Sequence, residues 1–280
     1  STTTRTNQNL AFANLFIGDD AVSGGSVTVD DQGRIIGYQS REREIFEQGT
    51  TQIVESGNAA GVTWTRWADG TPTGDYYGTT TFAPVGPNGG WHVIAGDALS
   101  NIPTSGTIAY DLTGYTTPTR TGESTSTGSL TGSAAVQFGS TARFGLDLTV
   151  TSGADQINMA TDGGVTDVGQ SRLIINSAGI FSSGAFNPEI NTTSIAGDFC
   201  AAGCLSFVQG FLSGDGASGA GLSYAIRQEG VIPQGFINGT AAFARGNPMG
   251  GGGAATVDGV VPTGGTDSPF AFAGPGSTGE

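Results

Sequence analysis

A single histidine, His92, limits the chemistry open to this chain of 280 residues. Any Ser-His-Asp triad, Cys-His pair or histidine-rich metal site would have to use it, and no Gly-x-Ser-x-Gly stretch supplies a nucleophile elbow. His92 sits between Trp91 and Val93 in an apolar run, the setting of an ordinary strand position. It could serve as a haem or metal ligand only by facing a pocket. The two cysteines stand as Cys200-Ala-Ala-Gly-Cys204. Two ligands make no zinc site, so the pair is either a tight disulfide loop, the favoured reading, or two buried thiols. A fully extended strand would hold their Cα atoms about 13 Å apart, beyond the reach of a bridge, so pairing requires a turn at residues 201–203.

Other candidate motifs are weaker. GDGASG at 214–219 and GPGSTG at 274–279 match Gly-x-Gly-x-x-Gly, but the 49 glycines alone predict about 1.5 such matches. Neither opens a helix within a βαβ unit, which excludes dinucleotide binding on this motif. Carboxylates at Asp19, Asp20, Asp30, Asp31, Asp162 and Asp167 could offer oxygens to calcium, yet none has EF-hand spacing, and turn chemistry accounts for them. Asn191-Thr-Thr193 and Asn238-Gly-Thr240 are glycosylation acceptors in form only. Trp64, Trp67, Trp91 and the pair Tyr76 and Tyr77 are the aromatics to follow. Strand alternation puts Trp64 and Trp67 on opposite faces, so one is expected to point outward, where it could anchor a partner or stack on a sugar. Trp64, Trp67, Trp91 and His92 are therefore the candidate ligand or partner contacts, with no catalytic, cofactor or metal residue assigned. Haem and calcium are the cofactors considered and set aside.

The elements that must position these groups are strands. Ser26–Asp30 alternates around Val27 and Val29, Asp31-Gln32-Gly33 turns, and Arg34–Tyr38 returns as a hairpin partner. Ile108, Tyr110 and Leu112 alternate with polar residues, and Ala134, Val136 and Phe138 turn at 139–141 into Phe144, Leu146, Leu148 and Val150. Gly-rich turns recur every 8–15 residues without a βαβ rhythm, which predicts an antiparallel barrel or sandwich. Gln39–Gln48, with five charges, reads as a short helix or a charged edge strand. The expected organisation is an extended segment over 1–18, a barrel over 19–245 and a Gly/Pro-rich tail over 246–280. Within the first segment, Leu10, Phe12, Leu15, Phe16 and Ile17 form an apolar run suited to a strand covered on both faces. If donated to a neighbouring copy it would build a head-to-tail polymer. An ordered tail would likewise need a holder, since ordering costs about 1–2 kcal/mol per residue.

Composition narrows the partners. Every one of the ten basic residues is arginine against 24 acidic residues, a net charge of −14, which excludes ordinary nucleic-acid binding. Apolar content of 36 %, with 15 Phe, suffices for a core. No run of 18 apolar residues spans a membrane, and no leader pattern opens the sequence.

Five stretches resemble one family as a set: GVTWTRW at 61–67, GWHVIAG at 90–96, IPTSGTIAY at 102–110, LTGSAAVQF at 130–138 and GTAAFA at 239–244. Together, over residues 8–245, they resemble the β-barrel module of transferrin-binding protein B-like surface proteins, and more closely the barrel found C-terminal to FecR-like proteins of proteobacteria. The resemblance implies an eight-stranded, lipocalin-sized antiparallel barrel. It also implies export to the outer-membrane or extracellular face of a Gram-negative bacterium, and no catalytic role. No lipobox cysteine or FecR sensor domain accompanies the barrel here, so the resemblance carries fold and place rather than a site. Two functions follow as expectations. The first is an exported structural or interaction protein that self-associates into an oligomer or filament, or binds another surface protein. The second is a ligand-capture barrel in iron, haem or small-molecule acquisition.

Overall fold

The computed structural model describes residues 1–14, 18–122, 128–184, 189–231, 234–246 and 255–256. The chain first builds β1 (Thr3–Asn14), β2 (Gly18–Val29), β3 (Ile35–Arg41), β4 (Glu44–Glu47), β5 (Gln52–Ala59), β6 (Val62–Ala68), β7 (Thr73–Tyr76), β8 (Thr79–Thr81) and β9 (Trp91–Asp97). These form one antiparallel sheet in the order β5-β6-β9-β1-β2-β3-β4-β7-β8. The rest gives β10 (Gly106–Tyr115), β11 (Thr119–Arg120), β12 (Gly128–Phe138), β13 (Ala142–Ser152), β14 (Asp155–Thr161), β15 (Ile174–Ile175), β16 (Ile180–Ser182), β17 (Ile190–Ala196), β18 (Cys204–Ser213), β19 (Gly219–Gln228), β20 (Phe236–Arg245) and β21 (Ala255–Thr256). Their main path runs β16-β18-β19-β20-β10-β12-β13-β14-β17.

The fold is all-β, as alternation predicts, but it is not a single eight-stranded barrel. It is two curled antiparallel sheets, and the chain leaves the first after Asp97. Alternation reports which residues face a core; it does not report which strands share one, and here two cores divide the work. Val27, Val29, Ile35, Tyr38, Phe46, Trp67 and Trp91 pack inside the first sheet. Tyr110, Leu130, Phe144, Leu148, Leu222 and Phe243 are among those filling the second. At the open ends of the second sheet, β17 and β18 meet through the Thr192 hydroxyl donating to Ser206 Oγ at 2.8 Å.

The predicted hairpins form with the expected partners. Val136 faces Phe144 and Ala134 faces Leu146 across β12 and β13. Val27 faces Tyr38 across β2 and β3, and Asp30 Oδ1 closes their turn by accepting from the Gln32 and Arg34 amides. Gln39–Gln48 is neither a helix nor an edge. It is the end of β3, a turn and β4, and β4 pairs on both sides, with β3 and β7. Its charges are used locally: Arg41 bridges Asp20 and Glu44.

The outward tryptophan is a second correction. Trp64 and Trp67 do face opposite ways, yet both are fully buried, because the second sheet covers the outer side of β6. Trp67 belongs to the first sheet's core, while Trp64 packs with Ala11, Val62 and Ile94 against Ile180, Phe211 and Ala242 of the second sheet. Its indole lies so close over Gly57 and Gly114 that a β-carbon there would sit 2.4 and 2.1 Å from the ring. Only glycine permits that approach.

Candidate functional site

Two polar regions lie on the outer face of the first sheet, the face turned away from its own core. One is closed by the second sheet. His92 on β9 is fully buried; its Nδ1 lies 2.8 Å from Thr116 Oγ1 and its Nε2 2.7 Å from Thr119 Oγ1. The Thr116 hydroxyl in turn sits 3.0 Å from Thr240 Oγ1 and accepts from the Thr240 amide on β20. Beside it, Arg66 on β6 donates to Glu55 Oε1 at 2.7 Å and to the Gly89 carbonyl at 2.6 Å. Glu55 Oε2 accepts from the Thr117 amide at 2.7 Å. The belt thus ties β5, β6 and β9 to the segment after β10 and to β20. Burial first, and the nearby Arg66 charge second, hold the His92 pKa well below its ordinary value of 6.5. Enclosed, with both ring nitrogens engaged by threonines, His92 presents no nitrogen to haem iron or a metal ion.

The other region is open. On β1 to β4, Thr4, Ser26, Thr28, Gln39, Ile45 and Glu47 line a surface groove of about 390 Å³. Ser26 and Gln39 also line a second hollow of about 260 Å³ that runs on toward Gly24, Arg41 and Glu42. The ladder explains the alignment. Thr4 pairs with Thr28, Ser26 with Gln39, and Gln39 with Ile45, so directly opposed side chains share a face. The apolar alternates Val27, Val29, Tyr38 and Phe46 point into the core and hold the floor. Thr4 and Thr28 hydroxyls lie 3.4 Å apart, and the Gln39 side-chain amide donates to the Glu42 carbonyl at 3.5 Å.

The remaining sequence candidates have structural places. Trp91 is buried, and its Nε1 donates to Tyr38 Oη at 2.9 Å. Tyr77 is 55 % exposed, with its hydroxyl donating to Glu44. Leu10 and Phe12 are buried in β1, which is hydrogen-bonded on both sides by β2 and β9 of its own chain. Leu15, Phe16 and Ile17 lie outside the described residues, as do 247–254 and 257–280 of the tail; Ala255 and Thr256 pair with Gly132 and Thr131 of β12. Cys200 and Cys204 form the disulfide, with Cα atoms 5.2 Å apart around a turn in which the Gly203 amide donates to the Cys200 carbonyl. Asp162 accepts from Asn191 and Arg172, and Asp167 from Gln170, so these carboxylates serve turns separately. Among the described residues no three His, Cys, Asp or Glu side chains gather to hold a metal. Residues 214–218 form the turn between β18 and β19, and Gly219 opens β19; 274–279 lie outside the described residues. Sequence reasoning missed the groove. Its only trace is the hydroxyl and amide residues alternating with Val27, Val29 and Tyr38, a pattern shared by any strand with one wet face.

No family model matches the sequence, and no curated protein matches it. Among solved structures, two crystal structures of transferrin-binding protein B from Haemophilus parasuis Hp5, described as a vaccine antigen, align with it. A tryptophan-to-alanine mutant aligns at 8 % identity with a TM-score of 0.30, and a tyrosine and tryptophan double mutant at 10 % with 0.36. Each alignment covers 85 % of this chain and 44 % of the other, so the chain spans less than half the length of those proteins.

Proposed function

We propose that this chain is a non-catalytic recognition module of an exported protein at a Gram-negative cell surface, and that it captures its ligand on the open face of the first sheet. The groove over β1 to β4 carries the reading: a partly exposed row of hydroxyl, amide and carboxylate groups aligned by strand register over a packed apolar floor. Export is supported by the Cys200–Cys204 disulfide, which persists outside the reducing cytosol. Capture is preferred to self-assembly because β1 already has a partner on each edge, so donating it to a neighbour would require leaving its own sheet. The haem form of capture is not part of the proposal, since His92 is enclosed.

The test is a binding panel of saccharides, peptides, haem and iron-carrying serum proteins over immobilised protein, run beside a Ser26→Trp variant that fills the groove. A ligand bound by the parent and lost by the variant, with unchanged circular dichroism, supports the assignment. A ligand bound equally by both moves the site elsewhere. Light scattering is expected to give a monomer near the chain mass of 28.1 kDa; a polymer dispersed by deleting residues 1–18 would restore self-assembly as the primary function.

A further inference from the structure

We infer that the groove takes a neutral oligosaccharide, an inference that rests on the recognition reading above and adds the chemical class of the ligand. The lining sets the class. Thr4, Ser26 and Thr28 offer hydroxyls that both donate and accept, Gln39 offers an amide with both capacities, and Glu47 offers acceptors only. A sugar ring presents the same mixture, hydroxyls that donate and accept at every position. Neighbouring strands stand about 4.8 Å apart, the scale of one pyranose, so hydroxyls on β1, β2 and β3 form a grid along which successive units can lie. Ile45, half-buried in the same lining, supplies an apolar strip for the C–H side of a ring.

Charge decides against the competing classes. An anionic glycan or a phosphate would meet the exposed Glu42 and Glu47 carboxylates within the field of a chain of net charge −14. Arg41, the guanidinium bordering the second hollow, is already committed to Asp20 and Glu44. An apolar ligand would displace water from the Ser26, Thr28 and Gln39 groups, and the protein contacts of the last two, Thr28 to Thr4 at 3.4 Å and Gln39 to the Glu42 carbonyl at 3.5 Å, are long. The two hollows share Ser26 and Gln39, which fits a ligand of several units better than a monosaccharide.

A glycan array displaying neutral, sialylated and sulfated oligosaccharides at high density tests the class, because multivalent display reveals weak single-site binding. The expected result is binding to neutral glycans, at least tenfold weaker signal for anionic ones, and a tenfold or greater loss in the double variant Ser26→Ala with Thr28→Val. These small changes at half-buried positions outside the core guard against misfolding, and Ser26→Trp should abolish the signal. Absence of any saccharide signal overturns the inference. So does a preference for sulfated or sialylated chains, or neutral-glycan binding that the groove variants leave intact. A peptide or protein ligand lost in Ser26→Trp would remove the saccharide class while leaving recognition by the groove standing.

Discussion

The outer face of the first sheet has two halves with opposite fates. Across β5, β6, β9 and the end of β1, the second sheet covers it and Trp64, Arg66, His92 and Ile94 are buried. The second sheet still reaches the start of β2, where Ala21 packs against it, but along the rest of β2 and over β3 and β4 the same face opens to water and carries Ser26, Thr28, Gln39 and Glu47. The two halves also treat charge differently. Arg66 and Glu55 pair with side chains 5 % and 2 % exposed, whereas Arg41 and Asp20 pair at 47 % and 37 %. The covered half therefore ties the two sheets together, and the open half is the one for which ligand capture is proposed.

The sharpest way to break this comparison is to remove one member of each ion pair. Glu55→Ala leaves the Arg66 guanidinium buried and strips the Thr117 amide of its acceptor. Deleting one partner of a buried pair costs about 3–5 kcal/mol, since the survivor has neither water nor a counter-charge. Asp20→Ala, at the exposed pair, should cost at most about 1 kcal/mol. Urea denaturation of both variants measures the contrast. Equal losses would show that the second sheet does not seal the covered half.

The same division explains what the sequence discloses and what it withholds. Where one face is wet, alternation reads cleanly, so the β2–β3 and β12–β13 hairpins appear in the sequence with their correct partners. In β6 every residue is buried, and VTWTRWA alternates only in size and polarity, not in exposure. The sequence thus implied an outward tryptophan where the structure has a second layer. That layer is built from strands more than 100 residues further along, such as the Phe211 and Ala242 positions packed near Trp64. Local patterning carries no information about such a partner. His92 was legible as a strand residue, but its partners are Thr116, just after β10, and Thr119, which opens the two-residue β11, and no motif marks either. The groove is a product of register, Thr4 opposite Thr28 and Ser26 opposite Gln39; the apolar pattern fixes which face is buried, while the bulges in both ladders, which fix the exact pairing, have no plain sequence signal.

A smaller effect sharpens the role of the covered half. His92 is held neutral by burial and by Arg66, with its folded pKa well below the ordinary 6.5. Between those two values the unfolded chain binds the proton that the folded chain refuses, so stability falls as pH drops below about 6.5, by about 1.4 kcal/mol per unit for one such group. The full contribution is present above that pH. Stability measured at pH 7 and pH 5 should show this slope in the parent and lose it in His92→Gln, which keeps a side chain able to reach the threonines without a titrating ring. An unchanged slope in the variant would mean that His92 takes up its proton without opening the belt.

The smallest expected effect belongs to the open half and is the more demanding test there. Ser26→Ala with Thr28→Val removes two hydroxyls that no packing or buried hydrogen bond requires, since Val27 and Val29, not their neighbours, enter the core. Surface changes of this kind shift stability by no more than about 0.5 kcal/mol. Valine also suits a strand at least as well as threonine does. Thermal and urea midpoints should therefore match the parent while ligand binding falls. Loss of both together would show that the hydroxyl row is part of what holds β1 to β4 in register, and the groove would then be a structural seam like the belt beside it.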